Sequence, residues 1–128
     1  MRTESTVRVF IADDLPAVRE RLAELIAEIG GAEVVGNAGT PPAAIAGILA
    51  AHPDVVLLDV QLDCGTGLDV LRAVHPRRPD IVFVVLTNHV QPQYREAYLR
   101  AGARHFFDKT TEFKRIATVL QGQTAETQ

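Results

Sequence analysis

Five side chains of this sequence stand where an apolar run gives out: Asp13 and Asp14, then Asp59, Thr87 and Lys109. Together they are three carboxylates, a hydroxyl and an ammonium. Carboxylates brought close repel one another, and one of them tends to hold a proton unless a cation intervenes. Mg²⁺ suits such a group, because it binds through one or two carboxylates and keeps several waters. A carboxylate is also an established nucleophile toward phosphorus, giving an aspartyl phosphate. Lys109 could meet a phosphoryl oxygen as a point charge and Thr87 could hydrogen-bond another. The set is chemically complete for phosphoryl transfer to Asp59, provided that the fold brings it together.

The elements that would do so are legible in the hydropathy. Apolar runs of strand length at 7–12, 33–38, 55–60, 81–86 and 104–107 alternate with segments of helical period. Leu15, Val18, Leu22, Leu25, Ile26 and Ile29 recur at spacings of three and four, which predicts an amphipathic helix stopped by Gly30-Gly31. Pro41-Pro42 opens a second helix with Ile45, Ile48 and Leu49 on its apolar stripe, and His52-Pro53-Asp54 breaks it. A short helix spans Leu68–Val74, a less regular one runs from about Pro92 to Arg100, and Thr110 or Thr111 can cap a last one carrying Phe113, Ile116, Val119 and Leu120. Val55–Leu58 is apolar on both faces, as a central parallel strand is. Five strand-then-helix units imply right-handed crossovers and an α/β fold, a doubly wound five-stranded parallel sheet of the flavodoxin-like (βα)5 kind. Ligands of such sheets sit beyond the carboxyl ends of the strands, where all five chemical groups fall.

The 128 residues make one domain's worth of chain, read as a core over about 6–120 and a polar, frayed tail over 121–128. An apolar fraction of 47%, a charged fraction of 23% and a net charge of −3 fit a globular domain and offer no basic surface for nucleic acid. One cysteine, Cys64, forbids an internal disulfide and suits a reducing compartment. No run approaches the roughly 18 apolar residues of a membrane span, and Met1–Thr6 is too polar for a secretory signal, so the expected location is cytoplasmic.

Asp13-Asp14, Pro53-Asp54-Val55-Val56-Leu57-Leu58-Asp59, Thr87 and Phe106-Phe107-Asp108-Lys109 together resemble the receiver domain of bacterial response regulators, over nearly the whole chain. The resemblance implies a signalling switch of a two-component or phosphorelay system, not an enzyme with a free substrate, catalysing only its own phosphorylation and dephosphorylation. It implies phosphorylation of Asp59 by a sensor histidine kinase or a histidine phosphotransfer protein. A cofactor Mg²⁺, or Mn²⁺ in its place, would be held by Asp14, Asp59 and the backbone carbonyl of Gln61, with Asp13 acting largely through water. Thr87 and Lys109 would bind the phosphoryl group, and Phe106 takes the place of the aromatic switch that turns inward as Thr87 moves toward the phosphate. A downstream protein would read the surface from Asn88 to Leu120, where Tyr94, Tyr98 and Phe113 offer apolar contacts, with homodimerisation on phosphorylation as one response. Neither nucleic acid nor membrane is an expected direct partner.

The sequence departs from the family pattern at Asp63 and at Thr110, both usually proline, and at Asn88, usually small. A cis bond before Thr110 would cost about 3–4 kcal/mol, so a trans or a strained bond is expected there. With Gln61 and His89 at the mouth, an unusual phosphate lifetime is expected. Blander roles compete at single positions: Asp13-Asp14 also suits a helix N-cap, and of the neighbours Phe106 and Phe107, which face opposite ways along a strand, one is expected in the core. Cys64 reads as an ordinary loop thiol, and the four histidines lack metal-ligand spacing. Three rival functions are the receiver half of a helix-turn-helix regulator of the LuxR/NarL type whose DNA-binding domain is absent from the chain, a phosphatase using an aspartyl phosphate, and a receiver that signals without phosphate. The phosphatase pattern usually carries an aspartate two residues after the nucleophile, where Gln61 stands here.

Overall fold

The computed structural model describes residues 6–88, 92–109 and 113–126, without the side chains of 113 and 123–126. Strands β1 (Val7–Ala12), β2 (Ala32–Ala38), β3 (Val55–Asp59), β6 (Val82–Thr87) and β7 (His105–Asp108) pair in parallel in the order β2-β1-β3-β6-β7. Helices α1 (Pro16–Ile29), α2 (Pro41–Ala51), α3 (Gly67–Val74), α4 (Pro92–Arg100) and α5 (Phe113–Glu126) connect them. The doubly wound α/β reading holds. The chain winds outward from β1 to β2 and then returns through β3 toward β7, so the topological switch point lies between β1 and β3. No helix among the described residues is long and apolar enough to cross a membrane.

Strand residues alternate between two cores. Phe10, Ala12, Val56, Leu58, Phe83, Val85 and Phe106 face the layer that includes α2, α3 and Tyr98 of α4. Val7, Val9, Ile11, Val55, Leu57, Val84, Leu86 and Phe107 face Leu22 and Ile26 of α1 and Ile116 and Leu120 of α5. Each such side chain, fully buried, contributes about 1.5–3 kcal/mol of transfer free energy. Phe106 and Phe107 do point to opposite faces, and both are core, because the sheet is covered on both sides.

Helix ends follow their local chemistry. Thr40 caps α2 by accepting from the Ala43 amide at 3.3 Å, with Pro41 in the first turn, and His52 ends it in the left-handed conformation, its N–H bonded to the Ile48 carbonyl. For α1 the N-cap position is Leu15, with Pro16 behind it and no side-chain cap bond. The N-cap role for the acidic pair is therefore wrong; proline at the first helical position leaves one fewer amide to satisfy. α5 runs on to Glu126 where a frayed tail from 121 was expected. Gln121, Gln123, Ala125 and Glu126 are good helix formers and carry the helix on in spite of Gly122 and Thr124. Thr110, Thr111, His89 and the Lys109–Thr110 bond fall outside the described residues.

The β3–α3 connection holds a feature with no counterpart in the hydropathy pattern: β4 (Gln61–Leu62) and β5 (Gly65–Thr66) form a tiny antiparallel hairpin around Asp63-Cys64, with Cys64 at φ 65°. Thr66 closes a capping box with Asp69, accepting from its amide at 3.4 Å while the Asp69 carboxylate accepts from the Thr66 amide at 3.1 Å. At Gly67 a Cβ would lie 2.2 Å from the Asp59 carbonyl oxygen, so α3 can start under the end of β3 only with glycine there. Gly67→Ala is expected to destabilise the fold by about 1–3 kcal/mol, the usual cost of overpacking, and to displace the segment after Asp59. Chemical denaturation of the variant checks the first effect and amide shifts at residues 60–66 check the second.

Candidate functional site

β1 and β3 lie side by side, and the residues that leave their carboxyl ends meet over the switch point. Asp13, Asp14 and Asp59 each bring a carboxylate oxygen within 4.8 Å of the others. Asp13 is 1% exposed and Asp59 7%, whereas Asp14 is half-buried. β6 delivers Thr87, 2% exposed, and the turn after β7 delivers Lys109, whose amide is bonded to the Thr87 carbonyl at 2.8 Å. The Lys109 ammonium donates to Asp13 Oδ2 at 2.6 Å and stands 3.0 Å from Asp59 Oδ2. All five side chains predicted to do chemistry are thus brought to one site.

Asp13 is held on every side. Its amide donates to the Ala38 carbonyl at 3.0 Å, its carbonyl accepts from Arg19 Nη1 at 2.6 Å, and its Oδ1 accepts from the Leu15 amide at 2.9 Å, a turn rather than a cap. Asp59 is balanced differently. Burial pushes its carboxyl up to about 6; the Lys109 charge pulls down, the Asp13 charge pushes up, and a backbone hydrogen bond from Gln61 pulls down. Burial also draws the Lys109 ammonium down, but its hydrogen bonds to Asp13 and Asp59 and their charges outweigh that, leaving it above the ordinary lysine value. Three carboxylates against one ammonium leave an excess of negative charge in a nearly dry setting. All of the carboxylate donors are hard oxygens, and the group fits a divalent cation of the Mg²⁺ class.

Asp14, Asp59, Thr87 and Lys109 line a cleft of about 550 Å³. Val60, Leu62, Thr66, Leu68, Ala97 and Tyr98 line it too, with Leu15 and Tyr94 exposed at the mouth. Tyr98 corrects the sequence reading: at 3% exposure it belongs to the core and not to an output surface. Its hydroxyl accepts from the Leu68 amide at 3.0 Å and donates to the Val60 carbonyl at 3.4 Å, and its ring lies 5.9 Å from that of Phe106. Burial pushes its phenol up to about 12, with the Leu68 amide opposing, so it stays a neutral donor. A weak signal was present: Tyr94, Ala97, Tyr98 and Ala101 stand at i, i+3, i+4 and i+7, a stripe that runs from exposed Tyr94 at the mouth to buried Tyr98 on a helix otherwise too polar to show one. Phe106 is 4% exposed and already inward, its carbonyl accepting from Arg95 Nη1 at 3.2 Å. Asn88 is exposed beside Thr87, and Gln61 is exposed on the cleft.

A family model described as the response regulator receiver domain matches residues 9–121. This chain belongs to that family. As a receiver it is 33% identical over 115 residues to the DNA-binding transcriptional activator DevR/DosR of Mycobacterium tuberculosis, 90% of this chain and 53% of that protein. It is 38% identical over 95 residues to a protein-glutamate methylesterase/protein-glutamine glutaminase of Anaeromyxobacter dehalogenans, 74% of this chain and 26% of the relative. The receiver thus spans about half, or only a quarter, of these relatives. Among solved structures, the signal receiver domain of NarL from M. tuberculosis superposes with a TM-score of 0.85 at 29% identity, over 94% of this chain and 97% of that one.

The raised Asp59 carboxyl has a signed consequence for the metal-free receiver. A carboxyl whose folded value is about 6 against 3.8 binds a proton more readily when folded, so its contribution to stability is present at low pH and lost as pH rises through about 6. Asp59→Asn should raise the stability of the metal-free protein at pH 7.5 by on the order of 1–3 kcal/mol and shrink the gain that wild type shows on acidification to pH 5. Thermal denaturation in chelator at the two pH values, for both proteins, measures it.

Proposed function

We propose that this receiver accepts a phosphoryl group on Asp59 from a phosphohistidine of a sensor kinase or phosphotransfer protein. The observation that carries the reading is the buried Asp59 carboxylate with Lys109 Nζ at 3.0 Å and two further acids beside it. An Asp59 oxygen attacks phosphorus while the phosphorus–nitrogen bond of the donor breaks, its electron pair returning to the imidazole, which then takes a proton. Asp13, Asp14, Asp59 and the Gln61 carbonyl are the groups to hold Mg²⁺ or Mn²⁺. The cation, when bound, neutralises phosphoryl oxygens and aligns the group with the attacking carboxylate. Lys109, pinned between Asp13 and Asp59, can follow the new charge by giving up one of two existing contacts. Thr87 is placed to hydrogen-bond another phosphoryl oxygen, and the reading for Phe106 is that the drawn-in Thr87 secures its inward position against Tyr98.

The domain would therefore act as a switch that catalyses only its own phosphorylation and dephosphorylation. Moving such an equilibrium from 1:99 to 99:1 takes about 5.5 kcal/mol of differential binding. A phosphoryl group of nearly two charges, meeting Lys109 and Thr87 in a dry site, is a source of that size. The downstream surface is α4, β7 and α5, where exposed Tyr94 and Leu99 take the part first given to Tyr98. Because the activator from M. tuberculosis extends to about twice the matched length, the second reading is the receiver part of a longer DNA-binding regulator.

Incubation with acetyl phosphate and Mg²⁺ should add about 80 Da, one phosphoryl group, to the intact mass of wild type and nothing to Asp59→Asn. Lys109→Ala should slow the gain by at least about tenfold, since an ammonium in a dry site is worth that much to a developing charge. A receiver that gains no mass, and binds no beryllofluoride either, would be a phosphate-independent one.

A further inference from the structure

Tyr98 has no part in the proposed phosphoryl transfer, yet nearly all of its polar contacts are with one segment. The Val60 carbonyl immediately follows Asp59; it accepts from the Gly67 amide at 2.9 Å and from the Tyr98 hydroxyl at 3.4 Å. The Leu68 amide, in the first turn of α3, donates to the same hydroxyl at 3.0 Å. One phenol on α4 therefore joins both ends of the 60–68 segment, which follows Asp59 directly in the chain and carries Gln61 on the cleft. The ring of that phenol packs on Phe106.

Two alternative roles are less economical. As plain core, a phenylalanine would fill the same volume without the cost of burying a hydroxyl. As an output residue, Tyr98 would need exposure that it lacks. What the hydroxyl adds is a cross-link: two backbone groups of the acceptor segment and the switch aromatic share one side chain, and that side chain belongs to the helix offered to partners.

We infer that Tyr98 is a positioning residue, whose hydroxyl ties α4 to the 60–68 segment and thereby keeps the Asp59 carboxylate and its phosphoryl group shielded from water. The inference rests on the receiver reading and adds to it a route by which a partner bound to α4 changes the lifetime of the phosphate. Dephosphorylation is attack of water on phosphorus, with the bond from phosphorus to the Asp59 oxygen breaking and inorganic phosphate leaving. Holding Gln61 and Val60 in place limits where that water can stand. Loosening them opens its approach.

The test is Tyr98→Phe, which retains the ring against Phe106 and removes only the hydroxyl. Both proteins are phosphorylated with acetyl phosphate and Mg²⁺, the donor is removed, and the loss of 80 Da is followed by intact mass, roughly the phosphoryl group alone. Amide exchange at Leu68 and Gly67 is read in parallel. The variant should lose its phosphoryl group about three- to tenfold faster, the worth of one neutral hydrogen bond, and exchange the Leu68 amide faster by a similar factor. Tyr98→Ala, which also empties the ring's place, should be faster again. Unchanged hydrolysis in Tyr98→Phe overturns the inference, whether or not the melting temperature or the Leu68 exchange moves, because the bond would then serve the fold alone. Faster hydrolysis with unchanged Leu68 exchange overturns it too, since the route through the segment would be missing. Failure of wild type itself to take up phosphate would sink the receiver chemistry rather than this link.

Discussion

Everything in this molecule that concerns function depends on crowding like charges at a place where water is scarce. Asp13 and Asp59 are nearly inaccessible, Asp14 is half-buried, and one ammonium stands between the first two. Two buried carboxylates sharing a lysine are tolerable, but a third leaves charge that the fold cannot neutralise by itself. That excess of negative charge is what fits the group to a divalent cation. The backbone bears the cost: Asp13 is fixed through its amide, carbonyl and carboxylate at once, and Asp59 is approached by the Gln61 backbone from the following hairpin.

Strand ends supply that crowding cheaply. A parallel sheet sends all of its carboxyl termini to one edge, so residues 46 and 50 positions apart in the chain become neighbours without any long loop. Lys109 reaches Asp13 across 96 residues in this way. The same geometry explains why the site was readable before the fold was known. Apolar runs announced the strands, and a polar residue at the end of each run announced which side chains would converge.

What stayed hidden was short, local or two-sided. The hairpin at 61–66 is held by only two residue pairs, too few for any period, and its turn uses a cysteine at positive φ in place of the usual glycine or asparagine. The capping box of Thr66 and Asp69 was visible as a threonine followed three residues later by an acid, once a helix is known to start at Gly67. Tyr98 misled because a tyrosine on a polar helix suggests a surface; its hydroxyl is satisfied by backbone amide and carbonyl groups that no side-chain pattern reveals. For the acidic pair, the N-cap preference lost to proline, which opens α1 one residue after Leu15.

The neighbours Phe106 and Phe107 have a consequence for how movement is partitioned. The first belongs to the layer with Tyr98, Leu62 and the acceptor segment, the second to the layer with Ile116, Leu120 and α1. Among the described residues, no buried side chain belongs to both clusters. A rearrangement around Phe106 would therefore act first on the layer of α2, α3 and Tyr98, and only through the sheet on the layer of α1 and α5. A fluorophore or fusion attached to the outer side of α1 would sit on the layer apart from the Tyr98–Phe106 cluster, whereas the same label on α4 would sit on the layer that holds it.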